Sequence, residues 1–231
     1  NYMKVLFIGC SNLVNDNMPP KNKQDVWKEI VFGNDVHIRN LSYWGVGNQF
    51  IAGNLFDYLE DKTSPDYVYL QFTGVARYDM PIHKKFDIGY KNQIKTYKRK
   101  WLCSGGKVGS WLGNDKTNEI FMPLYFSATE YEHVAEQSLQ SVSSAINLLE
   151  QKKIKYNWNF YYNILNPATD ECKNFDGMVN ELPDYLDTSK MISNDPHTFC
   201  YQSGGLHEDH CHFYNDHYEK WLNSIKDKLT L

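Results

Sequence analysis

A serine directly behind an apolar run and an acid–histidine pair in a Gly-led loop stand at opposite ends of this chain. Val5-Leu6-Phe7-Ile8-Gly9-Cys10-Ser11-Asn12 reads as a buried strand running into a turn that presents Ser11. Gly204-Gly205-Leu206-His207-Glu208-Asp209-His210-Cys211-His212 carries Asp209 three residues before His212. A serine hydroxyl is a poor nucleophile until a histidine takes its proton, and that histidine needs an acid to hold its tautomer. Asp209 and His212 can meet across one turn, leaving the second imidazole nitrogen for the serine proton. Alone, Ser11 reads more readily as a helix N-cap, and an isolated Asp-x-x-His as a solvated loop. Together, over one sheet, they predict a triad.

The same C-terminal loop supports a rival chemistry. His207, His210, Cys211, His212 and His217, with Glu208 and Asp209, are all metal-ligand types, and zinc sites are built from such residues. Against that, no second ligand cluster occurs elsewhere at recognisable spacing, so the expectation is no metal. Between the two ends, Asn40-Leu41-Ser42-Tyr43-Trp44-Gly45-Val46-Gly47-Asn48 follows a second strand candidate. Its glycines let backbone N–H groups approach a ligand, where they can serve an oxyanion; the segment also fits an ordinary strand-to-helix turn. Neither a Gly-x-Gly-x-x-Gly after the first strand nor a Walker loop is present, which leaves nucleotide binding without support.

The elements that must hold these residues alternate. Met3 to Gly9, Asp35 to Leu41, Tyr67 to Phe72 and Trp158 to Ile164 read as strands. Asp25 to Phe32, Asn48 to Leu59, Lys84 to Leu102, Tyr131 to Lys153 and Tyr214 to Leu229 read as helices. Alternating strands and helices predict a three-layer α/β/α sandwich with a flavodoxin-like parallel sheet, in which ligands sit beyond the carboxyl ends of the strands. Ser11 stands at such an end. Residues 1–231 read as one domain, with loop excursions over 103–130 and 166–203.

Composition narrows the class. The 231 residues are 42% hydrophobic and 15% aromatic, with a net charge of −4 and no long block of like charge, so nucleic-acid binding is not expected. The five scattered cysteines include no Cys-x-x-Cys pair and suit a reducing compartment. The N-terminal apolar run is too short for a signal-peptide core or a membrane span. The expectation is a cytoplasmic chain with no membrane span.

In order and spacing these segments resemble the SGNH hydrolases, the GDSL-like esterases and lipases. Ile8-Gly9-Cys10-Ser11-Asn12 is similar to that family's first block, Asn40 to Asn48 to its second, and Asp209-His210-Cys211-His212 to its last. The resemblance implies Ser11 as nucleophile and first oxyanion donor, Gly45 as second donor, His212 as base and Asp209 as its orienter. It implies no cofactor, and hydrolysis of a carboxylic ester through an acyl-serine. Aromatic richness tilts the substrate toward O-acylated carbohydrate. The third block departs from the family: where an asparagine usually donates to the oxyanion, Gln71-Phe72-Thr73-Gly74-Val75-Ala76-Arg77-Tyr78-Asp79 has Ala76. Thr73, alternating with a core-facing Phe72, is the candidate substitute donor. Asn48 and Arg77 are candidate substrate contacts, although Arg77 also suits a local ion pair. A catalytically weak binding module and an O-acyltransferase with the same triad remain alternatives.

Overall fold

The computed structural model describes residues 2–10, 13, 23–61, 64–77, 79–82, 93–95, 98–103, 130–206 and 214–231. Its centre is a parallel sheet of β1 (Met3–Gly9), β2 (Val36–Asn40), β3 (Tyr67–Phe72) and β7 (Lys155–Phe160), in the order β2-β1-β3-β7. Strict two-residue alternation divides the strands' side chains between two layers. Leu6, Ile8, Val68, Leu70, Phe72, Tyr156, Trp158 and Phe160 pack on one face against α2 (Asn48–Asp61) and α3 (Tyr131–Gln151). Val5, Phe7, Tyr67 and Tyr69 face the other way, against α1 (Lys23–Trp27) and α6 (Asn215–Ile225). The result is the expected three-layer α/β/α sandwich with flavodoxin-like order. A fifth sheet position beside β7 is reduced to one parallel bridge, Trp158 to Met191. No described helix is long and apolar enough to cross a membrane.

Three segments differ from the sequence expectation. The last sheet strand begins at Lys155 rather than Trp158. Its Asn157 and Asn159 are not surface residues: they accept hydrogen bonds at 3.0 Å from the buried hydroxyls of Tyr67 and Tyr69. Polar residues on the buried face of a strand hide its period. The stretch 166–203 holds two short helices, α4 (Asp170–Asp176) and α5 (Pro196–Gln202). Thr169 caps the first and Asp195, followed by Pro196, caps the second. Of the other excursion, residues 104–129 lie outside the described residues.

The third difference is the expected helix over Lys84 to Leu102. Its described parts are strands: β5 (Gln93–Lys95) and β6 (Lys100–Cys103), which join β4 (Asp79–Ile82) in an antiparallel sheet ordered β4-β6-β5. Tertiary contacts explain the change. The Trp101 indole is 3% exposed, meets Phe50 edge to face, and lies directly on Gly53 of α2. Basic residues just before β6 reach the acids of α2, Lys98 to Glu60 at 2.7 Å and Arg99 to Asp57 at 3.0 Å.

Gly53 therefore leaves room for Trp101. On helix propensity alone, Gly53→Ala would stabilise by about 1 kcal/mol. A Cβ there would fall onto the ring of a buried tryptophan, and overpacking of that kind costs about 1–3 kcal/mol. We expect a net loss, read as a lower urea midpoint with an unchanged m-value.

Candidate functional site

Parallel α/β sheets bind ligands where the strand order reverses, beyond the carboxyl ends. Here that point is the end of β1, with β2 on one side and β3 on the other. The loop after β2 folds back over it: Leu41 N donates to Phe7 O at 2.7 Å and Tyr43 N to Gly9 O at 3.1 Å. Asn40 extends the tie, its side-chain amide donating to Leu13 O at 2.6 Å and its Oδ1 accepting from Ser42 N at 2.9 Å. On the other side, Gly9 is in register with Gln71, two residues before Thr73. Positions 10 and 13, flanking Ser11 and Asn12, are joined by a 3.0 Å bond from Leu13 N to Cys10 O. Cys10 is buried and directs its thiol at Gln71 Oε1.

Ser11, Asp209 and His212 themselves lie outside the described residues, as do His207, His210 and Cys211. On either side of residues 207–213, Tyr214 N donates to Gly205 O at 2.9 Å. His217, counted among the metal-ligand types, is engaged locally, by Ser203 Oγ at 2.7 Å and Asp216 at 3.5 Å. Among the described residues no group of three His, Cys, Asp or Glu is arranged to hold a metal.

Gly45 stands in the loop over β1 with φ +65°, a conformation that disfavours any side chain. Residues on both sides of it are held. Val46 O accepts from Arg77 Nη1 at 3.1 Å, and Gly47 N donates to Asp79 Oδ2 at 2.5 Å. The same carboxylate oxygen accepts from Phe50 N at 3.2 Å, so Asp79 caps the first turn of α2 from outside the helix. No acceptor meets the Gly45 N–H among the described residues.

Sequence reasoning assigns no role to Asp79 or Cys103. The only signal was an arginine and an acid two apart in an extended segment, which share a face. Asp79 stands opposite Cys103 across the β4–β6 pair. Burial, offset in part by the Cys103 thiol, the two backbone N–H groups and the Arg77 charge, leaves the Asp79 carboxyl raised to about 6. Burial, with the Asp79 carboxylate beside it, also raises the Cys103 thiol well above its ordinary value. That thiol is a weak donor, and Oδ1 of Asp79 has no stronger partner among the described residues.

Two expected substrate contacts face inward. Asn48 is fully buried, and its amide holds the protein's own backbone. Thr73 N donates to Asn48 Oδ1 at 2.9 Å, while Asn48 Nδ2 donates to Thr73 O at 3.2 Å and Ser138 Oγ at 2.8 Å. Arg77 is 9% exposed and turned to Val46 and Asp79, the local role its sequence context also allowed. Thr73 is fully buried at the end of β3, and its Oγ1 has no hydrogen-bond partner among the described residues. Ala76 is 1% exposed and abuts Gly177, whose carbonyl accepts from the Tyr162 hydroxyl. Around these buried groups one aromatic stays outside. Of the described tryptophans, Trp27, Trp101, Trp158 and Trp221 are buried, whereas Trp44, beside Gly45, is 51% exposed.

No family model matches the chain, and no characterised protein matches it in sequence.

Asn48→Ala separates a backbone clamp from a ligand contact. Removing the amide strands a buried N–H and a buried C=O of Thr73, at about 1–3 kcal/mol per group. We expect a loss of about 3 kcal/mol in denaturant unfolding. A variant with full stability and only weakened ligand binding would return Asn48 to the ligand.

Proposed function

We propose that this protein is a serine-dependent carboxylic ester hydrolase that works through an acyl-serine. The observation that supports the reading best is the loop over β1. Tyr43 is bonded to the carbonyl of Gly9, and the Gly45 N–H, uncommitted among the described residues, follows two residues later at the sheet's switch point. Ser11, two residues beyond Gly9, would attack the acyl carbon. His212 would take the serine proton, return it to the leaving alcohol, and then activate water for deacylation, with Asp209 holding its tautomer. The amides of Ser11 and Gly45 would receive the oxyanion. No cofactor enters these steps.

Thr73 is the proposed third oxyanion donor. Its hydroxyl is buried without a partner among the described residues, an arrangement that costs stability unless something receives the hydrogen bond. Thr73→Val keeps the shape and removes the donor. It should lower kcat by about 10-fold or more with KM largely unchanged; an unchanged kcat removes Thr73 from the site.

Ala76 favours a slow enzyme as the second reading. It offers no side-chain donor, and it is packed on Gly177. Loss of one oxyanion donor costs about 10²–10³ in rate. Trp44 bears on the substrate. A half-exposed indole at the rim of the loop can stack on a sugar ring, which supports O-acylated carbohydrate over simple alkyl esters.

The test is intact mass spectrometry after exposure to a fluorophosphonate probe, alongside turnover of acetylated oligosaccharides and of alkyl acetates. One adduct mapped to Ser11, absent in Ser11→Ala together with turnover, is the expected result. Turnover that survives Ser11→Ala rejects the acyl-serine. Transfer of the acyl group to an added sugar in preference to water reassigns the protein as an acyltransferase.

A further inference from the structure

The loop carrying Gly45 is held by a group that the reaction scheme does not use. Val46 and Gly47 follow the proposed oxyanion donor directly. The first is tied through its carbonyl to Arg77 and the second through its N–H to Asp79. Asp79 Oδ2 also takes the Phe50 N–H, so one carboxylate oxygen locks the loop to the first turn of α2. The space between is filled: a Cβ at Gly47 would stand 2.7 Å from that oxygen and 3.0 Å from the Arg77 Cβ. Asp79 belongs to β4, the edge of the small antiparallel sheet, so this contact couples the second sheet to the loop over β1.

Resting on the esterase reading, we propose that Asp79 is a positioning residue whose carboxylate aims the Gly45 N–H at the oxyanion of the acyl-transfer step. The oxyanion hole works only if its donors are in place before charge develops. With Tyr43 bonded to Gly9 and Gly47 bonded to Asp79, the peptide of Gly45 is fixed from both sides. As a charged acceptor, the carboxylate makes its bonds from Gly47 N and Phe50 N about twice as strong as a neutral amide would.

The proposal has a signature in pH. Three described elements face the carboxylate: Arg77 from the segment leading into β4, Cys103 from β6, and the Gly47 and Phe50 amides from the start of α2. Burial raises its protonation to about 6, against 3.8 for an ordinary carboxyl. As pH falls, protonation of Asp79 removes the negative charge from two backbone bonds and leaves the Arg77 charge unbalanced. Wild-type kcat therefore loses about 10-fold as pH falls through about 6, the cost of one misaligned donor.

The deciding experiment compares wild type with Asp79→Asn, which preserves shape and one acceptor oxygen but cannot ionise. Both proteins are titrated with the fluorophosphonate probe and assayed for ester turnover from pH 4.5 to 8. Asp79→Asn is expected to lower the plateau kcat about 10-fold, by misaligning one donor, with KM within about 2-fold. Its kcat is expected to converge on the wild-type value toward pH 4.5, where the wild type has lost the same charge. Equal kcat across the range in the two proteins, with Ser11 labelled in both, overturns the positioning role and leaves the esterase reading intact. If Asp79→Asn does not fold, Asp79→Glu decides: it keeps the charge but moves it by one methylene, and a kcat equal to the wild type's across the range overturns the proposal. Wild-type protein that neither labels at Ser11 nor turns over any ester overturns the esterase reading and this inference with it.

Discussion

The amide of Asn48 satisfies both backbone groups of Thr73, the first residue beyond β3, and at the same time reaches Ser138 on α3. These three bonds join the start of α2, the end of the central strand and the long helix of the same layer. Asn48, Thr73 and Ser138 are all fully buried, so none of these groups faces bulk solvent. A buried backbone N–H or C=O without a partner costs more than a typical hydrogen bond gains. The chain past β3 therefore keeps the path that Asn48 dictates. Thr73, Ala76, Arg77 and Asp79 are placed by that path.

A second polar device occupies the opposite layer. The hydroxyls of Tyr67 and Tyr69 pair with Asn157 and Asn159, and Asn157 also donates to Lys190 O and accepts from Thr230 N. Burial pushes both tyrosine hydroxyls above their ordinary range, so they stay protonated and act as donors. Hydrophobic strands can slip against one another, but a slip here would break each tyrosine–asparagine bond and strand its members. The ladder thus fixes the register of β3 and β7. Register matters for the site because Phe72 O accepts from Tyr161 N just past the two strand ends.

Much of the sandwich was legible because its signals are local and periodic. Leu6 and Ile8 alternate with Val5 and Phe7; Val68, Leu70 and Phe72 alternate with Tyr67 and Tyr69. Val134, Leu139, Val142, Ile146 and Leu149 mark one side of α3 at helical spacing. What escaped was decided by partners far along the chain. Lys98 and Arg99 look like a basic helix face until Glu60 and Asp57 are set across from them. Asn157 and Asn159 look like solvent residues until Tyr67 and Tyr69 supply their donors. Asn48 looks like a ligand contact until Thr73 claims both ends of its amide.

The site divides along the same line. Residue types alone supply the candidate chemistry: a serine behind the first strand, an acid and a histidine near the C-terminus, and a glycine in the loop after the second strand. The sequence by itself also determined the layer order, because period and turn chemistry are properties of neighbouring residues. Only the tertiary structure decided that Asn48 and Arg77 serve the backbone, that Ala76 is packed against Gly177, and that Asp79 holds the loop of Gly45. The physical reason is the cost of burying polar groups. Each of these side chains carries hydrogen-bonding capacity or volume that must be matched where it lies, and the match comes from residues that sequence spacing does not reveal.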